Sequence, residues 1–403
     1  MASNSNAKNQ LHLTYVVPRY GQEIIGGAEN ATRMLAEAMT RFGVAQVEIF
    51  TTTASSIDTW ANDYACGDEV LNGVTIHRFK VDSGRIANFA AATRRMLAAP
   101  ASLTEGEAQE FIRLQGPVSS DLLDAVDACR HDALIFYPYL YHPITQGLMR
   151  ANVPTIMHPA AHMEPVLLLP VFQSVFSKVD ALVYHTDAER RVIESRFKVA
   201  QKPALTLGMG FEHFRGTPGD IGLRLGLQDK PYLLCLGRVD APKGTTLLVD
   251  MFKEYKTRNP SALSLVLAGP ISIMPNPAPD VYVVGPVTES DKADLLANTS
   301  CLVSPSAFES FSIVLIEAWA NRKPVLVNSL CEPTLEQVQR SGGGLAFHDF
   351  GSFEVALNRI LTDGELSTVM GVAGHDYVMS RYQWPKLIES YQTFISRVIE
   401  RSR

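Results

Sequence analysis

Two carboxylates and two cations are the residues best placed to do chemistry. Glu309 and Glu317 form a Glu-x7-Glu pair inside SPSAFESFSIVLIEAWANRKPVLVN, residues 304–328. Arg238 and Lys243 lie in GRVDAPKG, residues 237–244. Arginine offers a planar fork of donors and lysine a compact charge, and both suit a diphosphate. Left solvated at a helix start, the same cations would oppose the helix dipole. Glu309 precedes an apolar helical pattern that begins at Ile313, and Glu317 falls in its second turn, so the two do not pair with each other. Ser312 is in position to cap that helix. The free N–H groups of Ser312, Ile313 and Val314 then face outward at the positive end of the dipole, a ready site for phosphate. Phe311 closes the polar-aromatic turn before them.

These residues need strands and helices to hold them. Cys301-Leu302-Val303 is a short apolar run of the buried parallel kind. Ser304-Pro305-Ser306 ends it, Lys323-Pro324 stops the following helix, and Val325-Leu326-Val327 starts another strand. The loop with Glu309 therefore sits at the carboxyl end of a strand, where open α/β sheets bind ligands. Arg238 and Lys243 follow another strand, Tyr232 to Leu236, and precede a helix from Lys243 to Arg258. Near the start of the chain, Leu11 to Val17 reads as a strand. Gly26-Gly27-Ala28-Glu29 opens a helix behind it, running to about Phe42. Two glycines let the backbone approach a ligand closely, and the absence of GxGxxG disfavours a dinucleotide site.

The same alternation runs through the chain. Strands are expected at Val47 to Thr52, Val74 to Phe79 after the Asn72-Gly73 turn, Ala133 to Tyr137, Pro154 to Met157, Asp180 to Tyr184 and Pro203 to Leu207. Helices are expected at 121–130 and 187–197, and an apolar helical stretch at 164–177 that Pro170 interrupts. Residues 82–120 show helical patches. A second series follows, with strands at Leu263 to Ala268 and Val281 to Val284 and a helix at Glu289 to Asn298. After about Phe353 the chain reads helical, with a break at Trp384-Pro385. The fold class is α/β, two Rossmann-like domains. The expected layout is a disordered tail over 1–10, a first domain over 11–207, a linker over 208–220, a second domain over 221–380 and a final helix over 381–403.

Composition narrows the function. The chain has 403 residues, a formal net charge of −6 and a hydrophobic fraction of 46%. That size is ample for two domains, and the charge argues against nucleic acid as a partner. The five cysteines are scattered with no Cys-x-x-Cys, which points to a reducing compartment and no structural zinc. The first ten residues have no apolar core of a signal peptide, and no run reaches the roughly 18 residues a spanning helix needs. His158 and His162 are four apart, but Pro159 lies between them and nothing supplies a third ligand. No metal site and no cofactor are expected.

The setting of the two glutamates, Pro-Ser-x-x-Glu-x-Phe-x-x-x-x-x-Glu-Ala followed by Lys-Pro-Val, resembles that of retaining glycosyltransferases of the GT-B fold, family 4. Gly237 to Gly244 resembles that family's Gly-Arg-x-x-x-x-Lys-Gly signature, and Gly208 to Phe214 resembles, more loosely, its Asn-Gly-Val-Asp-x-x-x-Phe stretch. The sequence departs from the family's common Glu-Gly-Phe-Gly with Glu309-Ser310-Phe311-Ser312, and carries Arg322-Lys323 where a glycine is usual.

The resemblance implies two domains facing across a cleft, with the final helix crossing back to the first. It implies transfer of a hexose-type sugar from a UDP- or GDP-linked donor to an acceptor hydroxyl, with retention and without a metal. The acceptor would be a saccharide, lipid or small molecule, in polysaccharide, glycolipid or glycoconjugate synthesis. Glu317 would bind the ribose, while Arg238, Lys243 and the N–H groups of Ser312, Ile313 and Val314 would hold the diphosphate of the leaving nucleotide. Glu309 would orient the donor sugar, with attack from its front face assisted by the leaving phosphate. His158 would touch the sugar from the first domain, and Gly26 and Gly27 would face the diphosphate. A cytoplasmic location follows, with peripheral contact to the inner face of a membrane as a further expectation. Two rival readings of the same fold are a sugar-nucleotide 2-epimerase and a non-catalytic nucleotide-sugar-binding protein.

Overall fold

In a computed structural model, the described residues are 10–24, 26–212, 217–228, 230–276 and 278–402. The expected tail therefore lies, but for Gln10, outside the described residues, as do residues 213–216 of the expected linker. The chain divides into two compact units: Met1–Gly210 with Trp384–Arg403, and Phe211–Gln383.

The first unit is built on an eight-stranded sheet. In chain order its strands are β1 (Leu11–Val16), β2 (Ala45–Thr52), β3 (Gly67–Leu71), β4 (Val74–Phe79), β5 (Ala133–Phe136), β6 (Thr155–Met157), β7 (Ala181–Tyr184) and β8 (Ala204–Thr206). Their spatial order is β3-β4-β2-β1-β5-β6-β7-β8. Only β3 is antiparallel, joined to β4 through Asn72 and Gly73, both with positive φ. That is the backbone a tight two-residue hairpin requires.

The central strands ALIF and ALVY are buried along their whole length, as strands covered on both faces must be. The sequence reading missed β3. GDEVL is an exposed edge with no buried face, so it carries no apolar signal. It also missed the helices His142–Arg150 and Glu332–Ser341. Each has a proline in its first turn, which reads as a breaker but is tolerated there because that N–H lacks a helical partner anyway.

The last helix, Trp384–Ser402, belongs to the first unit. It buries Leu387, Ile388, Tyr391, Ile395, Val398 and Ile399, one stripe at helical spacing. A Cβ on Gly210 would lie 2.3 Å from Cδ2 of Trp384, so this glycine makes room for the indole that starts the helix.

The second unit has six strands, all parallel: β9 (Tyr232–Leu236), β10 (Ser264–Ala268), β11 (Val281–Gly285), β12 (Cys301–Ser304), β13 (Val325–Asn328) and β14 (Gly344–Phe347). Their order is β11-β10-β9-β12-β13-β14. Its core joins Leu233, Leu265, Val303 and Leu326 of the sheet to Leu248, Phe252, Phe353 and Leu357 of the helices. Both units are Rossmann-like, and each order reverses direction at one place: between β1 and β5, and between β9 and β12. These are the topological switch points where doubly wound sheets take their ligands.

Among the described residues no helix is long and apolar enough to cross a membrane. All five cysteines are free, four of them buried.

Candidate functional site

The loops after β9 and β12 meet at the second unit's switch point. Gly244 has φ 75 and its Cβ would lie 2.6 Å from the Pro305 carbonyl oxygen. A side chain there would meet both a strained backbone and a clash, so glycine is what lets the two loops touch. Asn328, at the end of β13, donates from Nδ2 to the same Pro305 oxygen at 3.0 Å. Three strand ends thereby hold one loop in place.

This contact brings Lys243 and Glu309 together, with Nζ 2.7 Å from Oε1. The lysine side chain is 34% exposed and the glutamate 18%, so the pair is open at one side. Asp240, nearly buried, organises the cationic loop. It accepts from the Lys243 backbone N–H at 2.8 Å and from Arg238 Nε. The sequence reading gave Asp240 no role; its spacing of three before Lys243 is the signal, since aspartate often closes a turn on the N–H downstream.

The helix behind the loop is Ile313–Ala320. Ser312 occupies its N-cap position but not as expected. Its backbone is left-handed, φ 65 and ψ 78, and its side chain makes no capping bond. The reason is geometric: a cap residue accepts a backbone N–H from an extended conformation, which this φ forbids. The N–H groups of Ile313 and Val314 head the helix and have no helical carbonyl to bond. Phe311 is buried edge-on against Tyr382, ring centres 5.3 Å apart, and Gln337 donates to its carbonyl oxygen. The turn is anchored from below while its polar face stays open.

Glu317 pairs with Lys292 at 2.7 Å, while Glu309 pairs with Lys243. Burial raises the Glu317 carboxyl above its usual range, and Lys292 pulls it only part of the way back. Lys292, on the helix Glu289–Asn298, is the second residue the sequence reading missed. Its ammonium also reaches Glu289 at 2.8 Å. Trp319 fixes the helix itself: it is fully buried and Nε1 donates to the Gly343 carbonyl at 2.8 Å.

In the first unit, Gly26 and Gly27 lie at the switch point after β1, at the start of the helix Gly27–Arg41. The backbone of Gly26 is extended, so φ does not demand glycine, and the atoms a side chain would meet are the movable ends of Glu29 and Arg19. A Cβ there would sit 2.1 Å from Glu29 Oε2. Glu29 in turn accepts from Arg19 Nε at 3.0 Å, and Arg19 donates from Nη1 to the Ser55 carbonyl at 2.7 Å. Nothing lies within 4 Å of a Cβ on Gly27, which faces open space.

His158 follows β6 and is fully buried. Its Nε2 lies 2.7 Å from the Tyr391 hydroxyl, which also accepts from Tyr15 at 3.3 Å. Burial and the neighbouring His185 hold the imidazole well below its ordinary pKa, so it is neutral. The expectation of a sugar contact meets this burial: from here the ring braces the last helix and offers no open surface.

A family model described as Glycosyl transferases group 1 matches residues 230–363. Two relatives are similar in sequence. The D-inositol 3-phosphate glycosyltransferase of Kineococcus radiotolerans is 29% identical, over 49% of this chain and 53% of its own. A GDP-mannose-dependent alpha-(1-6)-phosphatidylinositol monomannoside mannosyltransferase of Mycolicibacterium smegmatis is 26% identical, over 54% of this chain and 63% of its own. The chain thus spans between about half and two thirds of the length of these relatives.

Similarity in structure runs much further. Sucrose-phosphate synthase from Thermosynechococcus elongatus gives a TM-score of 0.72 at 17% identity, covering 97% of this chain and 99% of that one. Anabaena HepE, in complex with UDP-glucose, gives 0.69 at 12% identity, covering 96% and 100%. At such identities the likeness is one of fold, and the fold is GT-B.

Proposed function

We propose that this chain, whose residues 230–363 match the Glycosyl transferases group 1 model, moves a hexose from a nucleotide-diphosphate sugar to an acceptor hydroxyl, retaining the anomeric configuration. The observation that carries the reading is the Lys243–Glu309 pair, held at the switch point beside the head of the helix Ile313–Ala320. A cation, a carboxylate and free N–H groups converge there within one unit. That is the set a leaving diphosphate and its sugar need.

In this reading Arg238, Lys243 and the N–H groups of Ser312, Ile313 and Val314 hold the diphosphate. As the bond from the anomeric carbon to the phosphate oxygen lengthens, negative charge grows on that oxygen, and the ammonium and guanidinium stabilise it. Glu309 orients the donor sugar, and with phosphate bound, Lys243 divides its charge between the two. Glu317 takes the ribose hydroxyls, with Lys292 paired to the carboxylate beside them. The acceptor hydroxyl attacks from the face the phosphate leaves, and the phosphate oxygen takes its proton, so no step requires a metal. In the first unit, Gly27 leaves backbone open to a substrate, and His158 acts as a positioning residue through Tyr391. Among the similar proteins, the mycobacterial relative is named for GDP-mannose and HepE is described with UDP-glucose. A GDP- or UDP-linked donor is proposed here on that likeness.

The test is thermal denaturation against UDP, GDP, ADP and dTDP, with wild type and Glu317→Ala. A ligand at 100 times its Kd adds about 2.7 kcal/mol. One diphosphate should raise the melting temperature of the wild type and not of the variant. A folded wild type indifferent to all four overturns the donor site. Equal shifts in both proteins remove the role of Glu317.

A further inference from the structure

At the edge of the first unit, His12, Glu48 and His131 each place one potential ligand atom within 4.8 Å of the other two. They come from three separate stretches: β1, β2 and the residue pair before β5. We propose that they form a binding site for a divalent transition metal of the zinc class. The site is distinct from the transferase residues of the second unit.

The donor set fits such an ion. Two imidazoles and a carboxylate suit zinc, nickel, copper or cobalt rather than calcium or magnesium, which take oxygen ligands. His12 Nε2 and Glu48 Oε1 are 2.7 Å apart. Two ligands on a tetrahedral zinc, each bound at roughly 2.0–2.2 Å, stand about 3.3 Å from each other. Side-chain rotation alone supplies that difference, since all three residues are only half-buried. The rings of His12 and His131 stack at 3.5 Å between centres, which holds the two imidazoles side by side. With three protein ligands, the fourth position is left to water or a further ligand.

The surroundings supply what metal ligands need behind them. A ligating histidine is held through its other nitrogen, and a ligating carboxylate through its other oxygen. Thr14 Oγ1 is 2.5 Å from His131 Nδ1, which leaves Nε2 of that ring for the ion. Glu48 Oε2 is 2.9 Å from His77 Nε2, and the other nitrogen of His77 lies 2.7 Å from Asp68 Oδ1. The backbone is fixed too. Asp132 N donates to His12 O, and His12 N donates to Asp132 Oδ2, both at 2.9 Å. An ion here would tie β2, β1 and the lead-in to β5 together.

Tag-free protein stripped with a chelator is titrated with Co2+ and followed by its visible absorption, then with Zn2+ by calorimetry. We expect one equivalent of Co2+ to give the intense bands of a four-coordinate site, and Zn2+ to displace it. His131→Ala and Glu48→Gln should weaken Zn2+ binding at least tenfold. His77→Ala, which frees Glu48 from its support, should weaken it by about tenfold. His348→Ala, at an exposed histidine elsewhere, should change nothing. Circular dichroism checks that each variant is folded, and no sugar donor enters the assay, so the result is independent of transferase activity. A folded wild type that binds neither ion overturns the proposal, as does binding that survives both His131→Ala and Glu48→Gln.

Discussion

Ser312 holds a left-handed backbone that costs a residue with a Cβ roughly 1–2 kcal/mol. Such strain persists where the surroundings impose it, and it concentrates at functional turns. Here it opens the head of the helix Ile313–Ala320. Ser312→Gly should stabilise the protein by about 1 kcal/mol, part of the relief being returned as unfolded-chain entropy. A urea midpoint measures this, and a fall in the midpoint would mean that the hydroxyl makes a contact worth more than the strain. The sequence supplied half of this residue's story. Its place at the helix start is legible from the apolar pattern after it. Its conformation is not, because serine is an ordinary extended cap, and the contacts that anchor the turn, Phe311 on Tyr382 and Gln337 on the Phe311 carbonyl, come from residues far along the chain. Lys292 was missed for a related reason: it serves Glu317, which the fold brings near it, and a lone lysine on a helix reads as solvated.

The helix Ile313–Ala320 is short and apolar on nearly every side, so neighbouring elements must fix its rotation. Trp319 does this by filling a slot between Gly343 and Gly374. Sequence showed a tryptophan on the buried side but could not show which small residues receive it, since Gly374 lies 55 positions on. A Cβ at Gly374 would come within 2.1 Å of Trp319 Cδ1. Gly374→Ala should therefore destabilise the second unit by about 3 kcal/mol, although alanine favours a helix elsewhere. Because the same helix presents Glu317, diphosphate binding should weaken with it. Calorimetric unfolding checks the first effect. A variant as stable as wild type would show that the indole has room to move. The strand order was legible at this scale only in part: alternation predicted parallel sheets, whereas the exposed edge β3 depends on a partner, not on its own residues.

Across the whole molecule, stability should depend on pH through groups buried in the first unit. Glu189 is fully buried and accepts from the backbone N–H groups of His185 and Ala161. Burial pushes its carboxyl up to about 8, against the backbone bonds that pull it down. A raised folded pKa favours the protonated form, so its contribution is complete below about 4.5 and is lost as pH rises to about 8. Burial drives His185 and His142 down to about 4. Their contribution runs the other way: it is complete above about 6.5 and is lost as pH falls towards 4. Between pH 6.5 and 8 only the glutamate acts among these three. Denaturant midpoints should fall across that window in the wild type and stay level in Glu189→Gln. Parallel slopes in the two proteins would remove Glu189 as the cause.

The path of the chain has a further consequence, in time rather than space. The second unit, Phe211–Gln383, is one uninterrupted segment, whereas the first is split and is completed by Trp384–Ser402. Residues 10–210 leave the ribosome well before the stripe from Leu387 to Ile399 that joins their unit. Until then Tyr15 and His158 lack the Tyr391 hydroxyl that joins them. The later segment can thus finish folding while the earlier one waits with apolar surface uncovered. Order of synthesis and order of completion are reversed for the two units.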